Sequence, residues 1–173
     1  VTPNSKWNWI PSNIWVGVGQ MSKEEVTFDL APVYAKAGIN YKQAKAVSIN
    51  PEGGESSDKP FVTIEYTLEG KEGESENIEY DYLVNATGPK LNFAATPGLG
   101  DANGLGEHTV SVCTADHAVH AAEELEKCIQ KMKNGERQKF LIGTGHGMCT
   151  CQGAAFEYIF NIEHELKKAG VRD

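Results

Sequence analysis

Lys139-Phe140-Leu141-Ile142 leads into Gly143-Thr144-Gly145-His146-Gly147-Met148-Cys149-Thr150-Cys151-Gln152-Gly153, and that into a helical pattern. The first four residues read as a short strand. Beyond Gly153, Ala155, Tyr158, Ile159, Ile162 and Leu166 recur on one helical face, and Gly170 is the stop. Strand, glycine-rich turn, helix and the start of another strand form the first half of a dinucleotide-type βαβ unit. Such a turn lets backbone N–H groups meet a pyrophosphate at the helix N-terminus. The third glycine of the Gly-x-Gly-x-x-Gly fingerprint is missing, because position 148 is Met. The turn therefore reads as a relative of an NAD(P) site that has lost the nucleotide.

Upstream of this unit, Ala118, Ala122, Leu125, Ile129 and Met132 are spaced as one face of a second helix. Thr114 or Asp116 is the candidate cap at its start, and Asn134-Gly135 ends it. Three strands are predicted earlier still: Ala44–Ile49, Phe61–Leu68 with strict alternation, and Ile78–Val84. They are close enough in sequence to form an antiparallel meander. A short helix is predicted over Phe28–Ala37, with Pro32 in its first turn and Gly38 as its stop. Residues 4–21 read as an irregular loop whose tryptophans, Trp7, Trp9 and Trp15, cover apolar surface.

The chain has 173 residues, one domain's worth, and its 40% hydrophobic and 23% charged residues are ordinary for a globular protein. The net charge is −8. Between Pro51 and Asp81 ten acids face two lysines, so this one segment carries the whole excess. Its acidity lies in Gly- and Glu-rich loops with no calcium-ligand spacing, which points to solvation. The remainder is neutral and lacks the basic patch that a phosphate backbone requires, so no nucleic-acid partner is expected. No apolar run approaches the roughly 18 residues of a membrane span. Val1 is not an initiator Met and no signal peptide follows it. Both ends read as cut, so a piece of a longer chain is expected.

Four cysteines, Cys113, Cys128, Cys149 and Cys151, are too few and too clustered for a secreted disulfide scaffold. A reducing compartment with reactive thiols fits them better. Cys149 and Cys151 precede a helix N-terminus, whose positive dipole end favours thiolate. They are also candidates to hold a metal with His146, but the chain has no second close pair, so no metal site is expected. Cys113 stands just before another helix start, in Cys113-Thr114-x-Asp116-His117, where Asp116 is placed to orient an imidazole and His120 lies one turn on. Cys128 lies beside an apolar stripe and reads as packed there.

The string Tyr80-Asp81-Tyr82-Leu83-Val84-Asn85-Ala86-Thr87-Gly88-Pro89 ends a strand in Ala-Thr-Gly, which allows close backbone approach to a ligand. It resembles the Ala-Thr-Gly motif of the two-dinucleotide-domain flavoprotein disulfide reductase superfamily. Three further strings narrow the resemblance to the sulfide:quinone oxidoreductases: Pro11-Ser12-Asn13-x-Trp15-Val16-Gly17-Val18-Gly19, Cys113-Thr114-x-Asp116-His117-Ala118 and Lys167-Lys168-x-Gly170-x-Arg172-Asp173.

The resemblance implies an α/β fold: a partial FAD/NAD(P)-binding, Rossmann-like fold with a three-stranded antiparallel meander and the start of a second βαβ unit. Residues 1–109 correspond to part of the FAD-binding domain, without its N-terminal Gly-x-Gly-x-x-Gly unit, and residues 110–173 to the start of the second dinucleotide-binding-like domain. It further implies sulfide oxidation through redox cysteines, with electrons passing to FAD and on to a quinone. Cys113 matches one redox cysteine, and either Cys149 or Cys151 matches a second, because this chain carries two cysteines where better-known members carry one. His117 resembles a histidine near the flavin, and Thr2, Pro3, Ile10, Pro11, Thr87 and Gly88 match stretches that contact FAD. A third redox cysteine and the quinone-binding, membrane-anchoring segments would lie beyond Asp173. The parent is therefore expected to be peripheral to a membrane or cytoplasmic, and the chain by itself is expected to self-associate, not to retain FAD and to be inactive. The rival readings are an NAD(P)H-dependent flavoprotein, such as a type II NADH dehydrogenase or a persulfide reductase, and a non-catalytic binding module on the same fold. The missing third glycine speaks against the first rival.

Overall fold

The computed structural model describes residues 1–97, 109–145, 147, 149 and 151–172. The chain divides into two compact units, Val1–Trp7 with Asp29–Lys90, and Asn8–Phe28 with Leu91–Asp173. It passes between them within β1 (Lys6–Asn8), within β2 (Thr27–Asp29), and after Lys90. β1 and β2 form a two-stranded sheet.

The first unit is built on the meander. β3 (Ala44–Asn50), β4 (Phe61–Tyr66) and β5 (Ser75–Glu79) are antiparallel in the order β3-β4-β5. β3 pairs from Ala44 opposite Tyr66 to Asn50 opposite Phe61, with an irregularity between Ala46 and Ser48. Alternation along β4 turns Val62 and Ile64 to one face, where they pack with Ala44, flanked by Tyr66, Ile78 and Tyr80. Thr2 extends this unit through a parallel bridge to Gln43. α2 (Leu30–Lys36) stops at Gly38 as expected but starts later, because Phe28 and Asp29 belong to β2.

The third strand is shorter than the Ile78–Val84 expected. It lies earlier and ends at Glu79, which pairs with Phe61. The next step of the ladder meets Pro60, which has no N–H to give; its carbonyl accepts one last bond from the Tyr80 N–H, at 3.1 Å. Residues 81–92 are then exposed throughout, with Tyr82 at 95% of its full exposure.

The second unit is helical. α1 (Asn13–Val16), α3 (Ala115–Lys133) and α4 (Gly153–Lys168) contribute Ile14, Leu125, Ile129, Tyr158, Ile162 and Leu166 to one core, joined by Val18. Val16, Val26, Ala115 and Ala118 form a second cluster. α3 is capped as expected: the Thr114 hydroxyl accepts a bond from the His117 N–H at 3.2 Å, and the helix stops at Asn134-Gly135. α4 ends at Gly170 as expected.

Two expectations change here. Lys139–Ile142 forms no strand and pairs with none among the described residues; Ile142 rests on the core while Leu141 is fully exposed. No tryptophan is a member of a buried cluster. Trp9 is 56% exposed, and Trp7 and Trp15 are also on the surface. The smaller neighbours Ile14, Val16 and Val18 fill the interior instead, because α1 is short and turns its other face inward.

Candidate functional site

Cys113 is exposed, at the doorstep of α3. Its N–H donates to the Ser111 hydroxyl at 3.1 Å, and the Thr114 cap follows directly. The backbone that presents the thiol is thus pinned on both sides. His117, one turn into α3, meets the Phe93 ring edge-on, with centroids 5.5 Å apart. Its Nδ1 is buried and has no hydrogen-bond partner, and the same is true of His120 Nδ1. Asp116 does not orient either imidazole. It pairs with Lys23, because the first-turn position points it outward and across to the neighbouring loop. The His120 ring faces Glu124 at 3.7 Å, and the Lys127 ammonium beside Glu124 holds that carboxyl below its usual range.

Cys149 and Cys151 are free and exposed, on non-helical backbone just before Gln152, the N-cap of α4. Cys149 Sγ lies 3.9 Å from the Cys151 carbonyl oxygen. His146, Met148 and Thr150 lie outside the described residues, so the reading of Met148 and of a metal held with His146 has no structural counterpart here. Among the described residues no three His, Cys, Asp or Glu side chains converge as a metal would need. A Cβ added at Gly143, Gly147 or Gly153 would meet nothing within 4 Å, so these glycines are not demanded by packing. Cys128 lies half-buried within α3, as read.

The six residues matched to FAD contacts are divided between the units. Thr2, Pro3, Thr87 and Gly88 lie in the first, Ile10 and Pro11 in the second. The Thr2 N–H donates to Lys42 O at 3.2 Å and its carbonyl accepts from Ala44 at 3.0 Å, which anchors it beside β3. The Pro3 carbonyl accepts from the Thr67 hydroxyl at 2.8 Å. Thr87 donates to Asn85 Oδ1 from both its hydroxyl, at 3.0 Å, and its N–H, at 3.3 Å, closing a small turn. Gly88 follows at φ +69° with open space where a side chain would stand. Ile10 and Pro11 are exposed in a single 3-10 turn.

Sequence reasoning missed the residues that hold this part of the molecule together. Asn13 is 0% exposed. It exchanges hydrogen bonds with Asn8, at 2.9 and 3.1 Å, and donates to Val112 O at 3.2 Å, next to Cys113. Gly17 sits where a Cβ would come 2.7 Å from Val112 Cγ1 and 3.1 Å from the Tyr158 ring. The Tyr158 hydroxyl donates to Gly17 O at 2.9 Å, and burial pushes its pKa up to about 12. The signal was the Asn13-to-Gly19 string itself, which reads equally as a ligand loop and as a packing joint.

No protein-family model matches the chain. It is 33% identical over 166 residues to the sulfide-quinone reductase of Aquifex aeolicus, covering 96% of this chain and 32% of the relative. It is 28% identical over 173 residues to the mitochondrial sulfide:quinone oxidoreductase of Dictyostelium discoideum, covering all of this chain and 33% of that one. The X-ray structure of the Aquifex aeolicus sulfide:quinone oxidoreductase superposes on 99% of this chain and 34% of its own, with a TM-score of 0.68 and 28% identity. The α/β class with its three-stranded antiparallel sheet stands. These relatives do not favour the NAD(P)H-dependent and non-catalytic readings. Across nearly its whole length this chain is related to the sulfide:quinone oxidoreductases, and it spans about a third of the length of the relatives it matches.

Proposed function

We propose that this chain is part of a flavoenzyme that oxidises sulfide through cysteines and passes the electrons to a quinone. The observation that carries the reading is Cys113. It is an exposed thiol fixed before the capped start of a 19-residue helix, in a chain whose relatives are named for sulfide and quinone. Hydrosulfide is small, and an exposed sulfur on pinned backbone is open to it. Thiolate is the species that exchanges with sulfur. His117, one turn into the same helix with a buried and unpartnered Nδ1, is the histidine assigned to the flavin side of this site. Cys149 or Cys151 supplies the second redox sulfur.

In this reading residues 1–109 belong to the FAD-binding domain and 110–173 open the second dinucleotide-like domain. The described residues fit the flavin in kind. Gly88 leaves its backbone open to close approach, Thr2 and Pro3 present anchored main chain, and Ile10 and Pro11 offer exposed apolar surface. FAD, when bound, supplies a two-electron acceptor that can be reoxidised by a quinone. Quinones are lipid-soluble, so the whole protein works at a membrane surface. No helix among the described residues is long and apolar enough to cross one.

In the whole protein, Cys113→Ala is expected to cut sulfide-dependent quinone reduction by on the order of 100-fold, and so is replacement of one of Cys149 and Cys151. Cys128→Ala should leave the rate unchanged. Full activity in the Cys113 variant overturns the reading. The chain by itself exposes Phe156, Phe160, Leu141 and Val84. Apolar surface of that kind drives self-association, so light scattering at micromolar concentration should return a mass well above 18.8 kDa.

A further inference from the structure

Thr2, Pro3, Asn4 and Ser5 lie in the first unit, and the carbonyl of each accepts a hydrogen bond from elsewhere in that unit. The Thr2 carbonyl takes the Ala44 N–H at 3.0 Å, and the Ser5 carbonyl takes the Leu30 N–H at 2.9 Å. The two carbonyls between them are met by side chains instead. Pro3 O accepts from the Thr67 hydroxyl at 2.8 Å, and Asn4 O from the Tyr41 hydroxyl at 2.5 Å. Pro3, Asn4 and Ser5 are nevertheless exposed, so the segment is tied through its main chain and open to solvent. Both hydroxyls are themselves held. Thr67 gives its N–H to the Gln43 carbonyl at 3.0 Å, and its own carbonyl accepts from the Gln43 side-chain amide at 3.2 Å. Its hydroxyl has one proton, and the 2.8 Å contact with Pro3 O outranks the 3.3 Å contact with Gln43 O. The Tyr41 ring lies against that of Tyr34 in α2, with centroids 5.3 Å apart.

We propose that Thr67 and Tyr41 are positioning residues for the flavin nucleotide: their hydroxyls hold the Pro3 and Asn4 carbonyls and so keep Thr2 and Pro3 set for FAD. This rests on the reading above, in which Thr2 and Pro3 contact FAD, and adds two residues that act on the nucleotide through the main chain of this segment. A stretch fixed before its ligand arrives has less freedom to lose on binding, and that saving appears as affinity. Releasing either carbonyl returns the freedom and weakens binding, while the chemistry of the cysteines is left alone.

The test titrates FAD into the flavin-free whole protein and follows the quenching of flavin fluorescence. Every protein in the series carries Cys113→Ala, so that no thiol–flavin adduct holds the nucleotide. Thr67→Val and Tyr41→Phe each remove one hydroxyl with little change of shape. Each is expected to weaken FAD binding about 5-fold, and the two together about 25-fold. Thr67→Ser keeps the hydroxyl and should restore the parent affinity. Thr63→Val is the control, because it removes from β4 a hydroxyl whose 2.8 Å bond goes to Asn77 and not to residues 2–5. Its FAD affinity should not move, even where its urea midpoint falls as far as that of Thr67→Val. An unchanged affinity in either Thr67→Val or Tyr41→Phe overturns the proposal. So does a Thr67→Ser protein as weak as Thr67→Val, or an equal loss in Thr63→Val. Failure of the flavoenzyme reading looks different: the parent protein itself then takes up no FAD, and the proposal falls with it.

Discussion

The string Asn13–Gly19 and the glycine turn 143–153 look alike on paper, both short, glycine-bearing and continuous with a helix, but they do opposite things. The first is packed shut. Asn13 is sealed in a hydrogen-bond exchange, and Gly17 is so crowded that a single added carbon would strike Val112. The second stands open, with room for a side chain at Gly143, Gly147 and Gly153, and two exposed thiols in between. Glycine in the first place is a packing requirement that serves the core under Cys113. In the second it leaves backbone and sulfur accessible, as chemistry there would require.

The comparison can be broken by substitution. Gly17→Val is expected to cost about 3 kcal/mol, because the new methyls must displace both Val112 and Tyr158. Gly143→Ala should shift stability by well under 1 kcal/mol, as open, exposed positions do. Urea unfolding followed by circular dichroism reads both, and equal effects would erase the distinction. Asn13→Ala is the next largest. It leaves the Val112 carbonyl and the Asn8 amide short of a partner, for about 2 kcal/mol. If Asn13→Ala unfolds at the wild-type midpoint, the sealed joint is not what holds that region.

The meander gives a third, milder contrast, since exposed charge and not crowding ties its edge. Lys42 Nζ lies 3.1 and 3.0 Å from the two Glu76 oxygens, and the Tyr66 hydroxyl also donates to Glu76. The Tyr66 and Lys42 hydrogen bonds hold the Glu76 carboxyl below its ordinary value of 4.5. A carboxylate with a lowered folded pKa stabilises the fold fully above the unfolded value, and the contribution drains away as pH falls below 4.5 through the folded value. Lys42 is raised from 10.5, chiefly by Glu76, so its contribution is complete below 10.5 and is lost as pH rises through its folded value. Glu76→Gln should therefore flatten the acid limb of the stability profile while leaving Gly17→Val and Asn13→Ala additive to it. An unchanged acid limb would show that this cluster is only surface decoration.

Much was legible in the residues alone. The meander, the helix stops at Gly38, Gly135 and Gly170 and the Thr114 cap follow from alternation, spacing and capping chemistry, which are local properties of the chain. The resemblance carried in four separate strings also proved sound. What local pattern cannot encode is the partner. Ile78–Val84 is apolar enough for a strand, but β5 stops where β4 offers Pro60 in place of a donor. Asp116 sits one residue from His117 in sequence, yet its carboxylate is taken by Lys23, 93 positions away. The sequence by itself determined which residues favour strand, helix and turn, and which thiols precede helix starts. Only the tertiary structure decided that Gly17 serves Tyr158 and Val112 while Gly143 serves no neighbour, because crowding arises from contacts between segments far apart in the chain, and no single stretch contains both sides of them.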